Sequence, residues 1–90
     1  MYKVTIQETP VAESNWRVVA SGTWTPGHQP QLDEHILPAE VIEALFNVSP
    51  SATDESGRNQ VQFGVTFYAV VFRRLSKSRI TPAIGPARSF

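Results

Sequence analysis

The segment at residues 59–75, NQVQFGVTFYAVVFRRL, is the longest apolar stretch of the chain and decides its fold. In its first half, apolar side chains alternate with polar ones, which is typical of a strand with one buried face. From Tyr68 to Phe72, apolar residues fall on both faces of the strand. We therefore predict one long strand that is apolar on both sides at its end, with a bulge or bend at Gly64.

Two further strands and one helix are predicted before this segment. Alternation of apolar and polar residues indicates strands at about 2–7 and 16–24. The connection between them is too short for a helical crossover, so they should pair antiparallel. A surface loop containing proline and glycine should fill 25–37. Pro38, followed by an apolar stripe at helical spacing, predicts a helix over about 38–47.

These elements predict an α+β fold in a single small domain. The order is β-β-α-β, with a mainly antiparallel sheet, one helix packed on one face of the sheet, and a basic C-terminal arm. The domain should span 1–75 and the arm 76–90, because the later residues contain two prolines and a glycine and show no core-forming period.

One short helix can cover only one face of such a sheet. We expect it on the face that carries the larger apolar groups, which are Trp16, Val18, Trp24, Phe63 and Phe67. The opposite face should expose an apolar patch of the kind that marks an interaction site. Its members are Val19, Tyr68, Val70 and Phe72.

Charge is divided between the two parts of the chain, although the formal net charge is zero. Residues 1–55 hold all eight acids against Lys3 and Arg17, whereas residues 56–90 hold six bases and no acid. The bases at and after the end of the long strand are Arg73, Arg74, Lys77, Arg79 and Arg88. A basic arm on an acidic domain fits the acidic surface of a neighbouring copy or of a partner protein.

The composition gives no reason to expect a membrane segment or sulfur chemistry. Cysteine is absent, which excludes disulfides and thiolate metal sites. The first residues alternate in polarity and show no secretory signal, so we expect a cytoplasmic protein. The most apolar window, Val65 to Phe72, is far shorter than the roughly 20 residues that a membrane-spanning helix requires.

No group of residues points to catalysis. Both histidines and two carboxylates fall within 27–35, but their spacing matches no known metal site, and a solvated polar loop is the simpler interpretation. Ser21 and Ser56, each followed by glycine, lack the nucleophile-elbow pattern, and the glycines are scattered rather than gathered in a phosphate loop. We therefore expect no enzymatic activity, no metal, no cofactor and no small-molecule ligand.

Two interpretations of the function come first, and a small hydrolase or isomerase is third. The first is a non-enzymatic protein-interaction or assembly module, which binds itself or another protein with an acidic surface through the apolar sheet face and the basic arm. The second is a small nucleic-acid-binding accessory protein, since the bases could neutralise phosphates. Acids of the segment 33–43 within reach of the arm would favour assembly. The nucleic-acid interpretation would be favoured if four arginines and two aromatic residues converge on one face: Arg17, Arg58, Arg73, Arg74, Tyr68 and Phe72.

Overall fold

A computed structural model describes residues 1–51 and 53–75. In chain order its elements are β1 (Tyr2–Pro10), β2 (Arg17–Trp24), β3 (Gln31–Leu32), α1 (Ala39–Leu45), β4 (Ser56–Phe63) and β5 (Thr66–Arg74). The five strands form one antiparallel sheet in the order β3-β2-β1-β5-β4, and α1 packs on one face of it. The α+β fold with one helix on one face of an antiparallel sheet is thereby confirmed. The predicted arm, 76–90, lies outside the described residues.

The prediction of one long strand over 59–75 is wrong, because the chain reverses at residues 64–65. β4 and β5 pair antiparallel up to Phe63 opposite Thr66, so a two-residue turn joins them. Gly64 has φ +60°, in the left-handed region that glycine adopts without steric cost. The glycine interpreted as a bulge is therefore the turn of a β-hairpin.

The hairpin places the large apolar groups of β5 beneath the helix. Across the β1–β5 ladder, Val4 lies opposite Phe72 and Ile6 opposite Val70. Val70 is 0% and Phe72 6% exposed, so the prediction that they face solvent is wrong. Tyr68 and Val19 are half-buried and pack against the same core. The buried core consists of Tyr2, Val4, Ile6, Ala20, Trp24, Val41, Leu45, Val70 and Phe72.

A β-bulge in β2 explains why residues of this strand lie on the face opposite to the one predicted for them. The β1–β2 register shifts between Ile6 and Gln7, which leaves Val19 opposite no residue of β1. The bulge reverses the alternation, so residues before and after it follow different patterns. Trp24, after the bulge, faces the core as predicted, whereas Val18, before it, is 59% exposed on the opposite face. That opposite face carries the other misassigned aromatic residues, Trp16 and Phe67.

The helix is fixed to the sheet by its apolar stripe and by its last carbonyl groups. Val41 and Leu45 are completely buried. The side-chain amide of Asn59 in β4 donates hydrogen bonds to the carbonyl oxygens of Ala44 (3.3 Å) and Leu45 (2.9 Å). These bonds satisfy two carbonyl groups that have no partner within the helix. Among the residues that the structure describes, no helix has the length and apolar character needed to cross a membrane.

Candidate protein-binding groove and the open sheet face

A groove of about 1040 Å³ lies between α1 and the segment 28–35. Leu32, Ile42 and Phe46, all half-buried, supply its apolar lining. Glu40 and Glu43 are exposed residues of α1 that also line it. Because residues three apart on a helix are neighbours on its surface, the two carboxylates form one acidic edge. We call this feature the acidic groove.

Local sequence explains how segment 28–35 comes to face the helix. Gly27, with φ +91°, allows the turn in which the His28 N–H donates to the Thr25 carbonyl (2.9 Å). The Trp24 indole N–H donates to the His28 carbonyl (3.2 Å), which fixes the turn to a core residue. A Cβ atom at position 22 would collide with the carbonyl group of Gln31, and Gly22 avoids this collision because it has no side chain. β3 can therefore pair closely with β2 and form one wall of the groove.

Asp33 and His35 of this segment have hydrogen-bond partners, and both histidines line the groove. The Asp33 carboxylate accepts hydrogen bonds from the Ser21 backbone N–H and hydroxyl, both at 3.1 Å. The backbone bond from Ser21 is the main reason that the pKa of Asp33 lies below its ordinary value of 3.8. His35 Nδ1 accepts from the Leu37 N–H (3.1 Å), and His28 lines the groove. Within residues 1–51 and 53–75, no three or more such side chains come close enough together to hold a metal ion.

A second groove of about 290 Å³ continues the acidic groove toward the end of β5. The two share His28, Gln29 and Gln31 as lining residues. Met1 lines the smaller groove, and its carbonyl accepts a hydrogen bond from the N–H of Leu75, at 3.0 Å. The point at which the chain leaves β5 therefore adjoins a surface channel that leads to the carboxylates of α1.

The structure separates the two arginines that end β5. Arg74 points to the helix side, where its guanidinium donates to the Asp54 carbonyl (2.8 Å) and the Tyr2 hydroxyl (3.0 Å) and lies 5.1 Å from the centre of the Tyr2 ring. Arg74 thereby links the connection before β4 to the sheet through these hydrogen bonds. Arg73 is exposed on the other face, opposite Lys3. The remaining predicted contact residues, Lys77, Arg79 and Arg88, lie outside the described residues.

The sheet face opposite α1 is polar and cationic, and we call it the open face. On β1, β4 and β5 its charged side chains are Lys3, Arg58 and Arg73, and no carboxylate occupies an open-face position of these three strands. On β2 the Ser21 hydroxyl, opposite Thr5, donates to the Asp33 carboxylate. The Arg58 guanidinium lies 5.1 Å from the centre of the Trp16 ring. The neutral positions of these three strands on this face are Thr5, Gln7, Thr9, Ser56, Gln60, Gln62, Phe67, Ala69 and Val71.

The sequence predictions named Arg73 but missed Lys3 and Trp16 as its companions. A turn at Gly64 would have revealed the grouping, because it aligns β4 and β5 and places Arg58 and Arg73 on one face. The arginines and aromatic residues that the nucleic-acid interpretation requires on one face do not all lie on one face. Arg17 pairs with Glu8 at 2.6 Å, Arg74 binds the 51–54 connection, and two aromatic residues lie on the helix side, Tyr68 and Phe72.

In comparisons with known proteins, no family model, no curated protein and no solved structure matches this chain. The assignment of function therefore rests on geometry and charge. Residues 1–75 contain eight acids and five lysines and arginines, a formal charge of −3. Residues 76–90 contain three bases and no acid, a formal charge of +3.

Proposed function

We propose that this protein is a non-enzymatic assembly module in which the C-terminal arm (76–90) of one copy docks in the acidic groove of a second copy. The observation that carries the proposal is the complementarity between that groove and the arm. Glu40 and Glu43 line a groove whose other lining residues are partly apolar. The arm combines three bases with large apolar residues at Ile80, Ile84 and Phe90. Opposite potentials of this kind steer and orient association.

The groove offers both parts of the contact that such an arm needs. The apolar lining formed by Leu32, Ile42 and Phe46 accepts aliphatic or aromatic side chains, and their burial provides most of the binding energy. The carboxylates of Glu40 and Glu43 orient the basic residues. Exposed ion pairs contribute only about 0–1 kcal/mol each. The charges therefore contribute more to the specificity of the contact than to its binding free energy.

We take a second copy as the partner because the chain leaves β5 beside the smaller groove, whose lining residues include no carboxylate. Lys77 follows Leu75 by two residues, a reach of at most about 7 Å from the end of β5. In a neighbouring copy, the first bases of the arm can pair with the carboxylates of α1 without this limit.

Multi-angle light scattering of the full chain tests this proposal. At about 0.01 M salt, where the Debye length is about 30 Å, we expect self-association that weakens toward about 1 M salt, where it is about 3 Å. The double variant Glu40→Gln/Glu43→Gln should lower the association constant by about threefold to thirtyfold, as the loss of two exposed pairs allows. The arm variant Lys77→Gln/Arg79→Gln/Arg88→Gln should have the same effect.

The matched control is Glu13→Gln/Glu55→Gln, which removes the same charge from exposed positions outside the groove. It should leave the association constant within about twofold of the wild type. A wild-type protein that is monomeric at high micromolar concentration in low salt would refute the proposal. Equal losses in the control and in the groove variant would attribute association to net charge and not to the groove.

A further inference from the structure

We infer that the open face is a second binding site, and that it binds single-stranded nucleic acid. It lies on the side of the sheet that faces away from α1 and the acidic groove, so this site is independent of the proposed assembly contact. Its ligand contacts would come from three cations, one of which is an arginine over a tryptophan ring, and from several side-chain amides.

The cations of the open face lie close together on β1, β4 and β5, and none of them forms an ion pair within the described part of the chain. Lys3 lies directly opposite Arg73 across the β1–β5 ladder, an arrangement of like charges that destabilises a sheet. Arg58, opposite Val71, is a diagonal neighbour of Arg73, at a separation of about 7–8 Å. Within the part of the chain that the structure describes, the sole ion pair is Arg17 with Glu8, so no carboxylate lies within 4.0 Å of these three cations. A bound polyanion would relieve this repulsion.

The Trp16–Arg58 stack extends over the middle of the open face. Trp16 immediately precedes β2, whereas Arg58 belongs to β4, and these strands are separated by β1 and β5. Three strand spacings amount to about 14 Å, so the two side chains must reach toward each other above the intervening strands to make their 5.1 Å contact. Ala69, which lies on this face of β5, is completely buried. Arg58 is exposed, and its guanidinium also donates a hydrogen bond to the side-chain oxygen of Gln60 (2.8 Å).

This geometry favours single-stranded nucleic acid over other polyanions. Unstacked bases bind on aromatic rings and on guanidinium planes, whereas the bases of a duplex are already stacked on each other. An acidic protein surface would use the charges but would leave the planar stack unused. Gln7, Gln60 and Gln62 place side-chain amides on this face that can contact base edges. The Gln60 oxygen already accepts from the Arg58 guanidinium (2.8 Å) and the Gln62 amide donates to the Gly64 carbonyl (3.1 Å), so a base would use the remaining donors and acceptors of these amides.

Fluorescence anisotropy of labelled oligothymidylate with the full chain tests the inference. Three phosphate contacts predict a slope of about −2 for the logarithm of the association constant against the logarithm of salt concentration. Arg58→Gln/Arg73→Gln should weaken binding by at least about tenfold at low salt. The matched control Arg17→Gln removes an exposed arginine from the other side of the sheet and should leave the affinity within about twofold.

A second substitution separates stacking from charge and does not threaten the fold. Arg58→Lys keeps the cation but removes the guanidinium plane, so it should weaken binding by about fivefold without changing the salt slope. The arm variant Lys77→Gln/Arg79→Gln/Arg88→Gln should retain most of the affinity for oligothymidylate even though it loses self-association.

Four results would overturn the inference. They are wild-type affinity in Arg58→Gln/Arg73→Gln, wild-type affinity in Arg58→Lys, loss of binding in the arm variant, and equally tight binding of duplex DNA or of an acidic peptide. Wild-type affinity in the two Arg58 variants leaves the assembly proposal untouched, because that proposal depends on the groove carboxylates and on light scattering. Loss of binding in the arm variant would instead favour nucleic acid as the ligand of the arm.

Discussion

The two faces of the sheet are made by the same strands and have opposite chemistry. On the helix side, the rings of Tyr2, Trp24 and Phe72 lie with their centres 5.2–5.9 Å apart in a dry aromatic cluster. On the open face, alternate residues of the same strands provide Lys3 and Arg73, exposed and without a carboxylate partner in the described part of the chain. Charge in this protein is therefore sorted by sheet face as well as by position in the sequence.

The largest expected effect comes from adjacent valines of β5 that lie on different faces. Val70 is 0% exposed, so Val70→Lys would bury an ammonium group in the core and should destabilise the domain by more than about 4 kcal/mol. Val71 is 38% exposed on the open face, and Val71→Lys should cost less than about 1 kcal/mol. Urea denaturation followed by circular dichroism measures both. Similar stabilities for the two variants would disprove the assignment of the faces.

The helix side should also respond to loss of volume. Leu45 is completely buried, so Leu45→Ala should cost about 2–5 kcal/mol through lost burial and the cavity left behind. Ile36 is fully exposed, and Ile36→Ala serves as the control, with an expected change below about 0.5 kcal/mol. A loss below about 1 kcal/mol in Leu45→Ala would mean that α1 does not cover the sheet.

The turn that creates the two faces can be tested at Gly64. No atom lies within 4 Å of the position of an added Cβ, so Gly64→Ala tests backbone conformation alone. At φ +60° the change to alanine should cost about 1–2 kcal/mol, and Gly64→Asn should cost less because asparagine tolerates this region. Equal thermal unfolding midpoints for alanine and glycine would argue for a continuous strand.

The smallest expected effect concerns pH and the wall of the groove. Hydrogen bonds from Ser21 lower the pKa of Asp33, so the folded state favours the ionised carboxylate. This contribution is present above the unfolded pKa near 3.8 and disappears as pH falls through the lower folded value. Asp33→Asn should therefore be less stable than the wild type at pH 7 but approach it near pH 2, as acid titration of urea midpoints can show. A difference that is independent of pH would show that the charge of Asp33 does not stabilise this wall.

Local patterns in the sequence predict the fold class, the first two strands and the helix. Alternation identifies β1 and β2, and the stripe that contains Val41 and Leu45 identifies α1. The hairpin was missed because Gly64 is followed by Val65, a β-branched residue that continues a strand pattern and is unusual in a tight turn. The bulge at Val19 was missed because its neighbours are apolar on both sides, so a change of register leaves no trace in the pattern.

The candidate sites were harder to predict because pairing brings together residues that are distant in the sequence. Lys3 and Arg73 become neighbours only through the β1–β5 register. The acidic groove depends on β3, a pair of residues too short to show alternation, and on the close approach that Gly22 permits. The segregation of acids and bases along the chain predicts an acidic domain and a basic arm, but it does not reveal which surfaces carry the charges.

A charge-exchange experiment tests the assembly proposal most directly. One protein carries Glu40→Lys/Glu43→Lys, which makes its groove basic, and the other carries Lys77→Glu/Arg79→Glu, which makes its arm acidic. In low salt each should be monomeric by light scattering, because groove and arm then repel each other between identical copies. Mixed in equal amounts, the two proteins should form a complex, since each arm now meets a groove of opposite charge. Association of either protein alone at the wild-type level, or two monomers after mixing, would contradict the account.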